Sequence, residues 1–184
     1  EWQSRKQIRG KMLTKGNSTE VELTLKQLND RYLGYLFLIK NNDSDDRIDL
    51  VTTDHAPHTL EEKQKPYFQS MSGAPMVQHS LNCMLEFYKQ GHISLEKIVE
   101  KMCHNPAELY GFKDRGYVHP GYKADFVLVD MHDPWTVSKE NILYKCGWSP
   151  LEGTTFHNKV LKTFVNGNLV YDEGTFAEDT FGMA

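Results

Sequence analysis

Cysteine is scarce in this 184-residue chain: Cys83, Cys103 and Cys146 are an odd number at wide spacing, with no CxxC pair. That excludes a disulfide framework and points to reduced thiols in a cytoplasmic protein, with Cys83 and Cys103 as small core residues. No apolar run reaches membrane-spanning length, and no signal-peptide pattern is visible. The chain opens on Glu1-Trp2 without an initiator methionine, so a native start upstream is expected. Long runs of one charge sign are absent and the net charge is only -4, which argues against a nucleic-acid or anionic-membrane partner. Walker, GxGxxG and GxSxG patterns are missing, which removes three common enzyme classes. There is no internal repeat and no low-complexity tract.

What is present is ordinary for a globular protein: 39% hydrophobic and 25% charged residues, on a length sufficient for one domain and its core. The first 47 residues are polar, with Asn41-Asn42-Asp43-Ser44-Asp45-Asp46 near their end. Within them Val21, Leu25, Leu28, Tyr32 and Leu36 recur at helical spacing, so Val21–Lys40 is expected to be a helix. Ile48–Thr53 is apolar and β-branched and reads as a strand. Pro57 cannot continue a ladder, so that strand should end near Asp54. Thr59–Gln69 reads as a loop and Ser72-Gly73-Ala74-Pro75 as a tight turn.

Two helices should follow. Met76–Lys89 places Val77, Leu81, Met84, Leu85 and Tyr88 on one face, and Gly91 ends it. Ser94 is positioned to cap the second, with Leu95, Ile98, Val99 and Met102 inward. Asn105-Pro106 then restarts a helical turn that stops at Gly111. From Arg115 the period changes: Ala124–Asp130 is a strand, and Lys162–Val165, Asn166-Gly167 and Asn168–Tyr171 form a strong hairpin signal. The pattern is α/β, and it suggests the last strand and helices of an α/β barrel followed by a small β domain. The expected divisions are 1–47, 48–113 and 114–184.

Asp54 carries the most chemical interest. A carboxylate at the exit of an apolar strand sits where barrel enzymes place catalytic groups, and it can ligate a cation or shuttle a proton. An Asp there can equally cap the following turn. His55 and His58 make a compact polar cluster with it, stiffened by Pro57: metal ligands, a base with its partner, or an anion site. His79, His92, His104, His119, His132 and His157 read as structural or solvent-facing. Gly73 allows backbone to approach a ligand closely, though a plain loop-to-helix turn explains Ser72–Pro75 as well.

Val51-Thr52-Thr53-Asp54-His55-Ala56-Pro57-His58-Thr59-Leu60-Glu61-Glu62-Lys63 resembles the signature of class I dihydroorotases, cyclic amidohydrolases. TDHAPH followed by EEK is specific, because the related dihydropyrimidinases and allantoinases differ after the Asp-His pair. The likeness continues through Ser72–Gln78, Asn105-Pro106-Ala107, the Gly121 and Ala124–Asp130 strand, Trp148–Gly153 and the Asn166-Gly167 hairpin. Residues 48–176 thus resemble the family's C-terminal third; residues 1–47 match poorly, save for Tyr32–Lys40.

The resemblance implies the closing part of a metal-dependent (β/α)8 barrel plus part of a small β-sandwich. It implies reversible interconversion of N-carbamoyl-L-aspartate and L-dihydroorotate in pyrimidine biosynthesis, with two zinc ions in the complete enzyme. Asp54 matches the aspartate that ligates metal and moves the proton. His58 matches the histidine that contacts the substrate carboxylate, and Ser72, Gly73 and Ala74 match the loop whose backbone meets the ring. His55 matches a position that is not a ligand. The expected partner is a small molecule, with no nucleic acid or membrane and with a homodimer as the assembly.

The sequence departs from the family in lacking the residues of its early strands: the other metal ligands and the arginine and asparagine that contact substrate. No His-x-His pair and no histidine before His55 occur, so the other metal ligands are not identifiable and catalysis by the chain alone is not expected. A partial barrel should also expose apolar surface and associate. The rival readings are a non-catalytic dihydroorotase-like scaffold, against which an intact Asp54/His58 pair counts, and a cyclic amidohydrolase of the dihydropyrimidinase or allantoinase type.

Overall fold

A computed structural model describes residues 7–14, 17–24 and 49–179. Strands β1 (Gln7–Thr14) and β2 (Asn17–Thr24) pair as an antiparallel hairpin. This overturns the start of the helix expected over Val21–Lys40; its remainder lies outside the described residues. The reason is legible afterwards: Thr19, Val21 and Leu23 alternate with Glu20 and Glu22, a period-two pattern, and the register sets Glu20 opposite Lys11 and Glu22 opposite Arg9.

Asp49–Thr53 do not form the expected strand. A strand exists by its ladder, and here the neighbour is helical: the Val51 N–H donates to the carbonyl of Lys101 at 3.0 Å. The polar stretch after it is not all loop, because helix α1 covers Leu60–Lys63. A 3₁₀ turn at Val77–His79 then leads into α2 (Ser80–Lys89). Helix α3 (Leu95–Val99) is capped by the Ser94 hydroxyl, which accepts from the Lys97 N–H at 3.2 Å, as expected.

A π turn at Glu100–His104 joins α3 directly to α4 (Asn105–Leu109), so Asn105-Pro106 continues a helix rather than restarting one. The wider turn accommodates a proline, which lacks an N–H and crowds the preceding turn. Cys103, within this turn, is exposed and is not the core residue expected, whereas Cys83 in α2 is buried. Met84, Leu85 and Ile98 point inward as expected, whereas Val77, Tyr88, Leu95 and Val99 remain exposed.

The second half is β-rich. Strands β3 (Phe126–Asp130), β6 (Lys159–Val165), β7 (Asn168–Asp172) and β8 (Thr175–Phe176) form one antiparallel sheet in the order β3-β6-β7-β8. Short β4 (Trp135–Thr136) and β5 (Thr155–Phe156) make a separate pair. The β6–β7 link is the expected two-residue turn, with Asn166 at φ 54° and Gly167 at φ 82°, both left-handed as a primed turn requires.

The core joins α2 and α3 to the β4–β5 region: Met76, Cys83, Met84, Leu85, Ile93 and Ile98 pack with Val137, Leu151 and Phe156. A buried amide pair locks this contact. Asn82 Nδ2 donates to Asn158 Oδ1 at 2.9 Å, and Asn158 Nδ2 donates to Glu86 Oε1 at 2.8 Å. Exposed apolar side chains are plentiful elsewhere, including Phe68, Val118, Phe126, Val127, Leu128 and Leu169. Among the described residues no helix is long and apolar enough to cross a membrane.

Candidate functional site

Asp54–His58 runs beside Gly73–Met76. His55 and Ala74 form a parallel bridge, with the Ala56 N–H donating to the Ala74 carbonyl at 3.0 Å. Gly73 has φ 89°, and a Cβ there would lie 2.5 Å from the Ala56 Cβ. Only glycine permits both the left-handed backbone and this approach. Ser72 and Gly73 are exposed and Ala74 is half-buried.

His55 has a structural task. Its Nδ1 accepts from the Met76 N–H at 3.0 Å and faces the Val77 N–H at 3.4 Å, capping the 3₁₀ turn that leads into α2. Its ring sits 5.3 Å from that of Tyr144.

Asp54 is exposed, at φ 43°, a left-handed conformation that Asp tolerates better than most side chains. Its carboxylate has no hydrogen bond or ion pair among the described residues. Capping of the following turn, a task open to an Asp at position 54, falls to Thr59. The Thr59 hydroxyl accepts from the Glu62 N–H at 3.3 Å, and Glu62 Oε2 accepts from the Thr59 N–H at 2.9 Å. This reciprocal box was readable as Thr59-x-x-Glu62 before a helical turn.

His58 is half-buried, with Nδ1 3.5 Å from Glu62 Oε2. The Thr59 N–H, and after it the Thr59 hydroxyl and His58, hold the Glu62 carboxyl below its ordinary value against a smaller opposing effect of burial. The His58 carbonyl accepts from Trp148 Nε1 at 2.8 Å, tying the segment to the distant Trp148–Gly153 stretch.

Two positioning groups stand in stretches that carry the family resemblance, with no sign there of these tasks. Trp148 is one. Lys63 is the other: its Nζ donates to the carbonyls of Met71 at 2.5 Å and Gly73 at 2.9 Å, while Ser70 Oγ donates to the Lys63 carbonyl at 2.9 Å.

Behind this surface His79 is fully buried, as a structural histidine should be. Its Nδ1 lies 3.3 Å from the Tyr144 hydroxyl, and its Nε2 has no partner among the described residues. Burial pushes His79 down to about 4 and Tyr144 up to about 12. The exposed His92, His119, His132 and His157 lie apart from Asp54 in sequence and carry no metal cluster. Among the described residues no three His, Cys, Asp or Glu side chains gather closely enough to hold a metal ion.

A family model described as "Amidohydrolase family" matches residues 39–170. The chain belongs to the amidohydrolase family. Among curated amidohydrolase relatives, the dihydroorotase of Pyrococcus furiosus is 37% identical over 128 residues, covering 70% of this chain and 30% of that protein. The dihydroorotase of Clostridium acetobutylicum is 32% identical over 163 residues, covering 88% of this chain and 37% of the relative. The resemblance to dihydroorotases read from the TDHAPH stretch therefore holds.

Solved structures agree on the fold class. L-hydantoinase (dihydropyrimidinase) from Arthrobacter aurescens superposes with a TM-score of 0.68 at 26% identity, over 79% of this chain and 34% of that one. D-hydantoinase (dihydropyrimidinase) from Thermus sp. gives 0.71 at 22% identity over 77% and 32%, a likeness of fold alone. The chain spans about a third of the length of the curated relatives it matches.

Proposed function

We propose that the chain is the C-terminal part of a dihydroorotase, which interconverts N-carbamoyl-L-aspartate and L-dihydroorotate in pyrimidine biosynthesis. In this reading residues 48–113 are the closing segment and helices of a (β/α)8 barrel, with Asp49–Thr53 lacking here the ladder of a strand, and 114–184 are part of a β-sandwich. The observation that carries the function is the bridge between the Asp54–His58 segment and the Ser72–Ala74 loop, in relatives' company that bears the dihydroorotase name.

In the hydrolytic direction Asp54 takes a proton from the water that attacks the ring carbonyl. As the C–N bond breaks, Asp54 returns that proton to the leaving nitrogen. A carboxylate with no hydrogen bond or ion pair among the described residues is suited to this exchange. His58, oriented by Glu62 and by Trp148 on its carbonyl, contacts the substrate carboxylate. The backbone of Ser72, Gly73 and Ala74 meets the ring.

The resemblance brings two zinc ions with it, and Asp54 would supply one donor. A metal site needs about four ligands, and the described residues gather no three. They do not fit a metal by themselves, and no step is assigned to one.

The hydantoinase likeness favours a second reading, a cyclic amidohydrolase acting on neutral rings. His58 discriminates, since a histidine there suits an acidic substrate. The test is hydrolysis of dihydroorotate and of dihydrouracil by the full-length gene product in added zinc, with Asp54→Ala as control. Dihydroorotate should be turned over and dihydrouracil ignored, and Asp54→Ala should cost about 10³-fold in rate, the range of a lost acid–base group. Preference for dihydrouracil would sink the dihydroorotase reading. A wild-type rate in Asp54→Ala would remove Asp54 from the chemistry.

A further inference from the structure

We infer that Lys63 is the positioning residue of the substrate loop, its ammonium clamping the Met71 and Gly73 carbonyls so that the Ser72–Ala74 backbone presents a fixed face to the ring. The inference rests on the dihydroorotase reading and deepens it, because it assigns a task to a residue outside the set proposed to touch substrate.

The geometry is specific. Lys63 closes α1, whose start is fixed by the Thr59–Glu62 box directly after His58. From there its Nζ reaches two carbonyls that flank Ser72, and its own carbonyl receives the Ser70 hydroxyl. An ammonium offers three donors and no acceptor, so two carbonyls converging on one Nζ form a charge-assisted fork. A lysine at the end of a short exposed helix ordinarily extends into water.

The loop needs such a tether. Met71, Ser72 and Gly73 are all exposed, and Gly73 lies in a backbone region that few residues hold unaided. On the far side the loop is stitched at Ala74 to His55 and Ala56. Lys63 supplies the near side. The chain element that carries His58 thereby also sets the loop across from it, and the two substrate contacts move as one unit. A backbone that must meet a small rigid ring gains affinity when its conformation is fixed before binding.

The test compares wild type, Lys63→Met, which keeps the stem and drops the charge, and Lys63→Arg, which keeps the charge. Amide hydrogen exchange at residues 70–74 is read beside KM and kcat for dihydroorotate in the full-length gene product. In Lys63→Met the loop amides should exchange faster and KM should rise about tenfold, the size of one lost charge-assisted hydrogen bond. Its kcat should change far less, and Lys63→Arg should recover both readouts. Unchanged exchange in Lys63→Met overturns the tether, and faster exchange with an unchanged KM overturns its role in binding. A wild type that hydrolyses dihydrouracil but not dihydroorotate defeats the substrate reading alone, and KM is then read with dihydrouracil. A wild type that hydrolyses neither defeats the positioning role with the reading, while the exchange data still judge the tether.

Discussion

The helical half and the four-stranded sheet are held in different ways. Around α2 the contacts are long-range and polar at their centre: Asn82, Asn158 and Glu86 interlock, Trp135 Nε1 donates to the Asn158 carbonyl at 2.9 Å, and His79 is sealed beside Tyr144. The sheet relies on local pairing. Every residue of β6 is half-buried and the first three of β3 are exposed, so the sheet seals no core of its own among the described residues. Its turn is set by neighbours, with the Asn166 N–H donating to Asp125 Oδ1 at 2.7 Å and Arg115 Nη2 to Asn166 Oδ1 at 2.6 Å. A buried polar network fails when one member is lost, whereas a hairpin built on turn chemistry degrades by degrees.

Acid is the strongest way to break the contrast. His79 is held near 4 against 6.5 for an ordinary histidine, so its folded value is depressed and the unfolded chain binds the proton first. Stability should be intact above the ordinary value and drain as pH falls toward the folded one, by on the order of 3 kcal/mol from this group alone. Urea unfolding across that range should show the helical half melting before the sheet, and His79→Leu should flatten the acid limb. Equal acid slopes in wild type and variant would show that His79 does not set it.

Asn158→Ala comes next. It strips partners from Asn82 and Glu86 in a buried setting and should cost about 2 kcal/mol, read as a lower urea midpoint with the sheet's near-native exchange protection retained. Loss of protection throughout both regions would mean that they unfold as one. Gly167→Ala is the mildest. Nothing lies within 4 Å of the added methyl, so only the left-handed backbone resists it, at about 1 kcal/mol confined to the sheet. A larger cost reaching α2 would erase the distinction between the regions.

Much of the sheet was readable because its determinants are adjacent in sequence: Asn166-Gly167 specifies a primed turn, and the apolar, β-branched and aromatic residues on either side supply the strands. Helix starts are written in the same local way, at Ser94 and in the Thr59–Glu62 box. Asp49–Thr53 misled because an apolar β-branched run names a strand only where a neighbour supplies the ladder, and here Lys101 stands in that place. Val21–Thr24 misled because a few apolar residues satisfied a helical spacing while their alternation served a hairpin better.

By itself the sequence determined the family through TDHAPH and EEK, the turn at Asn166-Gly167, and the residue types that the proposed chemistry needs at Asp54 and His58. The tertiary structure decided what those residues rest on. Thr59 rather than Asp54 caps α1, His55 caps the turn before α2, Trp148 holds the His58 carbonyl, and Lys63 holds the loop. Motifs and turns are written in consecutive residues, whereas a hydrogen bond from Trp148 to His58 exists only once ninety residues of chain have folded back to bring donor and acceptor together.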